Sequence, residues 1–323
     1  MIYPTLNSEN SSRDFINTFG GYNHNLRIAE NEFYDMTNMT SDHYPLLCPR
    51  RKRGVYAETA SPNGLIAKDA LCYVDGHKLY INKEEIDGLR FEDDSPKQLV
   101  SMGAYIVIFP DKVYVNTADH TFGKLEASYD LPATVSATYE MCDIDGNVYD
   151  IIDGNDPPAD TTKAWVDTSS TPYTLKQYST SNSVWSQVPS TYIKISAHGI
   201  ALSFNQYDAV KISGLPTDID GLKDIEGTIC PLYSVYHDPG EEEADHPEGR
   251  DDYVVIVGFL RNAIPCETAL RLERNVPDMD FIIESGNRLW GCKYGIVDGR
   301  PVNEIYASKL GDFKNWNCFM GLS

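Results

Sequence analysis

Two adjacent stretches of the chain share one layout. The first, GLIAKDALCYVDGHKLYINKEEIDGL, begins at Gly64; the second, QLVSMGAYIVIFPDKVYVNTADHTFGKL, begins at Gln98. Each reads as a strand, a short gap, a strand, a tight turn and a strand that ends apolar-Tyr-apolar. In the first, the strands are expected at Leu65 to Ala67, Ala70 to Val74 and Lys78 to Ile81, with a turn at Asp75-Gly76. In the second they are expected at Leu99-Val100, Ala104 to Phe109 and Lys112 to Val115, with a turn at Pro110-Asp111. Tyr80 and Tyr114 lie 34 residues apart. A sheet unit recurring at such a spacing is a propeller signature.

A third unit starts at Asp280 with DFIIESGNRLWGCKYGIVDGRPVNEIYASKLGDFKNWN. It predicts strands at Phe281 to Ile283, Arg288 to Cys292 and Asn303 to Ala307, with Tyr306 in the place of Tyr80 and Tyr114. Tyr306 lies 192 residues beyond Tyr114, far more than one repeat, which predicts an inserted domain. Strand patterns near Asp208 to Ile212, Gly227 to Tyr236 and Tyr253 to Phe259 mark the insert as a small β-barrel or sandwich. Helical periodicity is scarce. Its best candidate, Ala29 to Met39, holds no apolar stripe. The chain is therefore expected to be all-β, with partial β-propeller blades and an inserted β domain. The segments are a leader over 1–54, two blades over 55–133, the insert over 134–275 and a further blade over 276–323.

Composition narrows the function classes. The formal charge is −21, so an extended acidic surface repels polyphosphate and makes nucleic acid an unfavourable partner. No apolar run is long enough to span a membrane, and the polar start, MIYPTLNSEN, lacks a signal-peptide layout. The seven cysteines are widely spaced without a CxxC, which predicts free thiols and no zinc site. No nucleophile elbow, Walker loop, GxGxxG or HExxH is present, so no catalytic residue, cofactor or metal is assigned.

Four local motifs remain. Arg50, Arg51, Lys52 and Arg53 form the one basic run; it suits a phosphate or, on this background, an acidic protein neighbour. CDIDGNVYDIIDGN offers alternate acidic side chains, but a calcium loop opened by Asp143 would need Glu where Gly154 stands, so a hairpin turn is expected. HDPGEEEADHPEGRDD sets His237 and His246 among carboxylates; a solvated hairpin tip is expected there rather than a metal site. SKLGDFKNW (Ser308 to Trp316) is similar to the Asp-box turn of sialidase-like propellers, with Leu310 in place of its Asp and the Gly one position early. Such turns are structural.

The leader and the third unit together resemble β-propeller virion proteins of tailed bacteriophages, of the tail or DNA-stabilisation type. The leader carries the resemblance in Phe19-Gly20-Gly21, the acidic stretch with Glu30, Glu32, Asp35 and Asn38, and the exit from Arg50 to Gly54. The third unit carries it in NRLWGC and NEIYASKLGDFKNWN (Asn287 to Asn317). WVDTSSTPYTLKQY (Trp165 to Tyr178) also looks like segments of such proteins. The resemblance implies a non-enzymatic structural protein of the virion, in the tail or head–tail region. Its partners would be other virion proteins or further copies of itself, with Tyr80, Tyr114, Trp290, Tyr306 and Trp316 as structural anchors of the blades. A glycan-binding or glycan-cleaving propeller at the tail tip is the alternative. Three units and a leader are few for a closed ring, so the chain is expected to be the N-terminal part of a longer product or to be completed by a partner.

Overall fold

The computed structural model describes residues 15–40, 42–241, 246–266 and 269–316. Among them the chain is all-β, without a helix, in several small sheets. No helix is long and apolar enough to cross a membrane. Pairing is antiparallel except between Gly21–Tyr22 and Glu32–Phe33 and between Ile151–Gly154 and Ala164–Asp167. The chain divides into two compact units, 1–58 and 59–323.

The first unit holds four two-residue strands: β1 (Gly21–Tyr22), β2 (Glu32–Phe33), β3 (Met39–Thr40) and β4 (Cys48–Pro49). Gly20 is required by a close approach, since a Cβ there would sit 2.9 Å from the Asn31 carbonyl oxygen. Glu32 Oε2 accepts from Ala29 N at 2.9 Å and Asn23 Nδ2 at 2.8 Å. Those bonds hold its carboxyl below the ordinary value. Phe19 packs on Phe33 at 5.2 Å. Of the acidic and glycine residues singled out in the leader, Glu32 and Gly20 thus brace its turns.

The second unit opens with two four-stranded meanders. The first sheet comprises β5 (Pro62–Lys68), β6 (Ala70–Asp75), β7 (Lys78–Ile81) and β8 (Glu84–Glu85). The second comprises β9 (Gln98–Met102), β10 (Tyr105–Phe109), β11 (Val113–Asn116) and β12 (Phe122–Lys124). The three expected strands of each unit are present, and a short fourth strand extends each sheet.

The next stretch forms three more sheets. Its strands are β13 (Ala127–Asp130), β14 (Ala137–Cys142), β15 (Ile151–Gly154), β16 (Ala164–Asp167), β17 (Thr174–Ser179), β18 (Val184–Gln187) and β19 (Tyr192–Ser196). β20 (Ala209–Ser213), β21 (Ile229–Pro231), β22 (Ser234–Tyr236), β23 (Tyr253–Val257), β24 (Ile264–Cys266) and β25 (Arg271–Arg274) complete it. A four-stranded sheet in the order β13-β25-β20-β21 and a five-stranded one in the order β22-β23-β19-β14-β24 share one core. Tyr139, Ile193, Ile195, Val210, Ile212 and Leu272 meet in it. β13 pairs directly with β25, Ala127 opposite Arg274, so the excursion leaves and returns on neighbouring strands. A further excursion between the paired β14 and β19 builds the small sheet β15-β16-β17-β18. Gly227 to Tyr236, expected as one stretch of strand, is divided by a break between β21 and β22.

The third meander follows: β26 (Phe281–Glu284), β27 (Leu289–Val297) and β28 (Arg300–Ala307). It packs on the second sheet, so that the three meanders form a stack. Ile66, Cys72, Val74, Leu79 and Ile81 of the first sheet meet Leu99, Ile106, Ile108, Val113 and Val115 of the second. The opposite face of the second sheet, with Val100, Met102, Val107, Phe109 and Tyr114, meets Ile282, Leu289 and Tyr306 of the third. The first strands come closest, β5 beside β9 and β9 beside β26. Gln98 fastens that line: its Nε2 donates to Asp280 O at 2.5 Å, and its Oε1 accepts from Ile282 N at 3.1 Å.

Candidate interaction surfaces

Period-2 alternation gives each meander two faces, one toward the preceding sheet and one toward the next. The row Ile66–Cys72–Ile81 of the first sheet points to the second. The matching row of the second sheet, Val100–Val107–Tyr114, points to the third. In the third sheet the corresponding rows are Ile283–Trp290–Ala307 and Phe281–Cys292–Ile305. These rows face away from the second sheet. With Tyr294 and Ile296 they form a continuous apolar surface whose large side chains range from 40 % exposed (Trp290) to 79 % (Ile296). Phe281 and Tyr294 stack on it at 6.2 Å. Scattered surface leucines are ordinary, whereas a whole sheet face of this composition is an uncommon exposure.

The aromatic residues singled out from the sequence fall into two groups. Tyr80, Tyr114 and Tyr306 all lie on third strands but do not share a face. Tyr114 points to the third sheet, where it touches Phe313 at 5.4 Å and Tyr105 at 5.8 Å. Tyr306 points back to the second sheet. Tyr80 points away from the second sheet and stacks on Tyr73 at 5.0 Å. Trp316 is buried in the core between the second and third sheets, with its indole N–H donating to Phe313 O at 2.9 Å. Trp290 belongs to the exposed face.

The SKLGDFKNW turn carries a buried polar cluster that sequence reasoning missed. Ser308 Oγ accepts from Leu289 N at 2.9 Å. Asn315 Nδ2 donates to Asp208 Oδ1 at 3.0 Å and to Asp312 Oδ2 at 2.6 Å, while Asn315 Oδ1 accepts from Ala209 N at 2.8 Å. Arg274 forms an ion pair with Asp208 and donates from Nε to Leu125 O at 2.9 Å. Ser308, Asn315, Asp208 and Arg274 are buried. The cluster joins the foot of the two-sheet excursion to the third meander. Its members stand too far apart in sequence for spacing to reveal them.

Arg50, Arg51, Lys52 and Arg53 are exposed and form no ion pair with a described carboxylate. Arg50 N donates to Asn38 O at 2.7 Å, which orders the start of the run. The CDIDGN segment is a turn capped by Asp143, whose carboxylate accepts from Asp145 N, Asn147 N and Asn147 Nδ2 at 2.9–3.0 Å. Those bonds close the turn through the Asp143 carboxylate. Cys48, Cys72, Cys142, Cys230 and Cys292 are free thiols, and burial pushes Cys142 up to about 12.

The loop between β22 and β23 is more tightly built in its described part than a solvated tip. Asp252 is fully buried and accepts from Ala201 N at 3.1 Å and Asp238 N at 2.7 Å. His237 bridges Asp252 at 3.1 Å and Glu248 at 3.0 Å. Burial disfavours its charged form, but the two carboxylates outweigh that and raise its pKa above the ordinary value. Asp238, His246 and Asp251 bring three ligand atoms within 4.8 Å of one another. One nitrogen and two oxygens suit a borderline divalent cation. Here His246 Nε2 is paired with Asp238 at 2.9 Å, and Asp238 also receives Gly240 N and Asp251 N.

One cleft of about 650 Å³ lies beside the small sheet, with Tyr173, Phe259, Arg261, Asp220 and Asp224 in its wall. Arg261 stacks over Tyr173 at 5.4 Å and is paired with Asp153. A second, of about 390 Å³, runs along the edge of the first two meanders. Four of the carboxylates in its wall are tied to lysines, Asp93 and Asp111 to Lys97 and Glu126 and Asp278 to Lys112.

Fold and surfaces together define an all-β protein built on a stack of meanders, with an apolar sheet face at one end. Comparison with protein-family models, with curated proteins and with solved structures finds no match to this chain.

Proposed function

We propose that this chain is a structural protein of a tailed-phage virion, assembled in the tail or head–tail region by protein–protein contacts. The observation that carries the adhesive part is the uncovered apolar face of β26, β27 and β28. Burying such a face stabilises a complex by roughly 25 cal/mol per Å² of apolar area, before the costs of association. The three meanders read as successive propeller blades: like rows face like directions, and first strands converge on one line. The two-sheet excursion and its small sheet read as the inserted domain. The phage assignment itself rests on the resemblance of Phe19 to Gly54 and Asn287 to Asn317.

Arg50 to Arg53 supply a second contact, suited to an acidic neighbour. A duplex-DNA role would instead give retention on DNA that falls steeply with salt and vanishes when all four become Ala.

The test is mass spectrometry of purified particles from the phage or prophage that encodes the chain. The expected result is its presence at a fixed, repeatable copy number. Recovery only in the soluble lysate overturns the reading.

The cleft at Tyr173 and Arg261 supports a second reading, glycan binding, because it sets aromatic rings beside carboxylates and a guanidinium. It lies by the small sheet rather than on the line where the first strands converge. A glycan array separates the two readings: saturable binding lost in Tyr173→Ala favours the second.

A further inference from the structure

Among the described residues the stack leaves two faces uncovered, and they are complementary in kind. One is the outward face of the third sheet, described above. The other is the back of the first sheet, where Leu65, Tyr73, Tyr80 and Glu85 form one cross-strand row. Leu65 there is 67 % exposed, and Tyr73 and Tyr80 are half-buried in a stack. Within the chain the same kind of contact occurs twice: the forward face of the first sheet lies on the back of the second, and the forward face of the second on the back of the third. What remains is a forward face without a back and a back without a forward face.

We propose that the forward face of one copy's third sheet, around Trp290 and Ile305, docks on the back of the first sheet of a second copy, around Leu65 and Tyr80. The contact is heterologous, so it runs head to tail and closes into a ring or grows as a chain according to the rotation per step. The inference rests on the reading of these faces as assembly surfaces.

The dimensions set its strength. In this face β27 is nine residues long, β28 eight and β26 four, so it covers roughly 300 Å² on each copy. That falls in the size class of weak complexes. The chain carries a formal charge of −21, so two copies repel one another through solvent. Salt that screens this repulsion strengthens the contact instead of weakening it, the opposite of a charge-driven association.

The experiment is sedimentation velocity on the full chain. The expected result is concentration-dependent association that tightens as salt is raised from about 50 mM to about 500 mM. Ile305→Glu blocks the forward face and Leu65→Glu blocks the back, and each weakens self-association by at least about tenfold. Both side chains are exposed, so the fold tolerates the change; circular dichroism verifies this, and Ile283→Glu replaces a forward variant that does not fold. Mixing the two variants restores a one-to-one dimer, because one retains a forward face and the other a back.

A wild-type chain that stays monomeric to about 100 μM overturns the proposal. So does a Leu65→Glu chain that self-associates as well as wild type, which would mean that forward faces pair with each other. A mixture that fails to associate overturns it as well. None of these outcomes bears on whether the chain is found in particles, so the two readings fail separately.

Discussion

Asn315 and Asp208 are hydrogen-bonded at 3.0 Å across 107 residues of sequence, inside the protein and out of reach of water. The contact ties the turn after the third meander to the strand that begins the second half of the two-sheet excursion. Asn315→Ala leaves the Ala209 amide without its acceptor and Asp208 with one donor fewer. Each lost buried partner costs about 1–3 kcal/mol, so urea unfolding should show a loss of about 2–6 kcal/mol. Asn315→Asp sets a second carboxylate against Asp208 and should cost more at neutral pH than the alanine does. An unchanged unfolding midpoint in Asn315→Ala would show that the cluster is not a fastening.

Tyr114 and Tyr80 are one repeat apart in sequence but opposite in consequence. The Tyr114 ring lies between the second and third sheets and crowds Gly123, where a Cβ would come within 2.7 Å of its hydroxyl. Tyr80 lies on the outer face of the first sheet. Tyr114→Ala should cost about 3 kcal/mol, in the range of a core aromatic truncation. Tyr80→Ala should cost about 1 kcal/mol, the loss of one stacked pair. Parallel thermal melts of the two variants check this; equal losses would mean that both tyrosines sit in equivalent interfaces.

That difference also shows where the sequence was legible. The pattern of short apolar runs, Ala70 to Val74, Ala104 to Phe109 and their neighbours, bounded by Asp, Gly and Pro, revealed the meander strands, and Ile106 to Phe109 are buried on both faces. It could not assign faces. β5 turns into β6 through Asp69 alone, whereas β9 turns into β10 through Gly103 and Ala104. A one-residue change in a loop reverses which side chains face the core, so Tyr80 and Tyr114 look equivalent at a spacing of 34 and are not. β8 (Glu84–Glu85) and β12 (Phe122–Lys124) were illegible because two or three residues, largely polar, carry no period. Asp238 and Asp252 looked solvated because their neighbours in sequence are charged. Asp252 finds the Ala201 amide in another part of the fold, and Asp238 finds Gly240 N, His246 and Asp251 N when the loop closes on itself.

His237 gives the β22–β23 loop a dependence on pH whose sign follows from its raised pKa. The charged ring stabilises the loop fully below its ordinary value of 6.5, and the contribution is lost as pH rises through the higher folded-state value. Hydrogen exchange at the Asp238 amide, which donates to Asp252 at 2.7 Å, reads this directly. After correction for the intrinsic rate, protection should be greater at about pH 6 than at about pH 8. His237→Gln should flatten the difference. A wild-type loop equally protected at both values would show that the carboxylate bridge does not hold it.

Lys176 governs the acid limit of the small sheet. Its ammonium donates to Asp167 at 2.7 Å and lies 4.7 Å from the centre of the Trp165 ring. The bond from Lys176, with those from Ser169, depresses the Asp167 pKa from an ordinary 3.8 to about 2. A depressed carboxylate contributes stability that is present above its unfolded pKa and lost as pH falls through its folded one. Lys176→Met should therefore destabilise the sheet at neutral pH, and the difference from wild type should shrink between pH 3.8 and about 2 until it vanishes. The tryptophans report it, since Trp165 and Trp185 meet edge to face at 5.7 Å in this sheet and their emission changes when it opens. A gap between the two proteins that stays constant down to pH 2 would mean that Lys176 acts through its packing on Trp165 and not through Asp167.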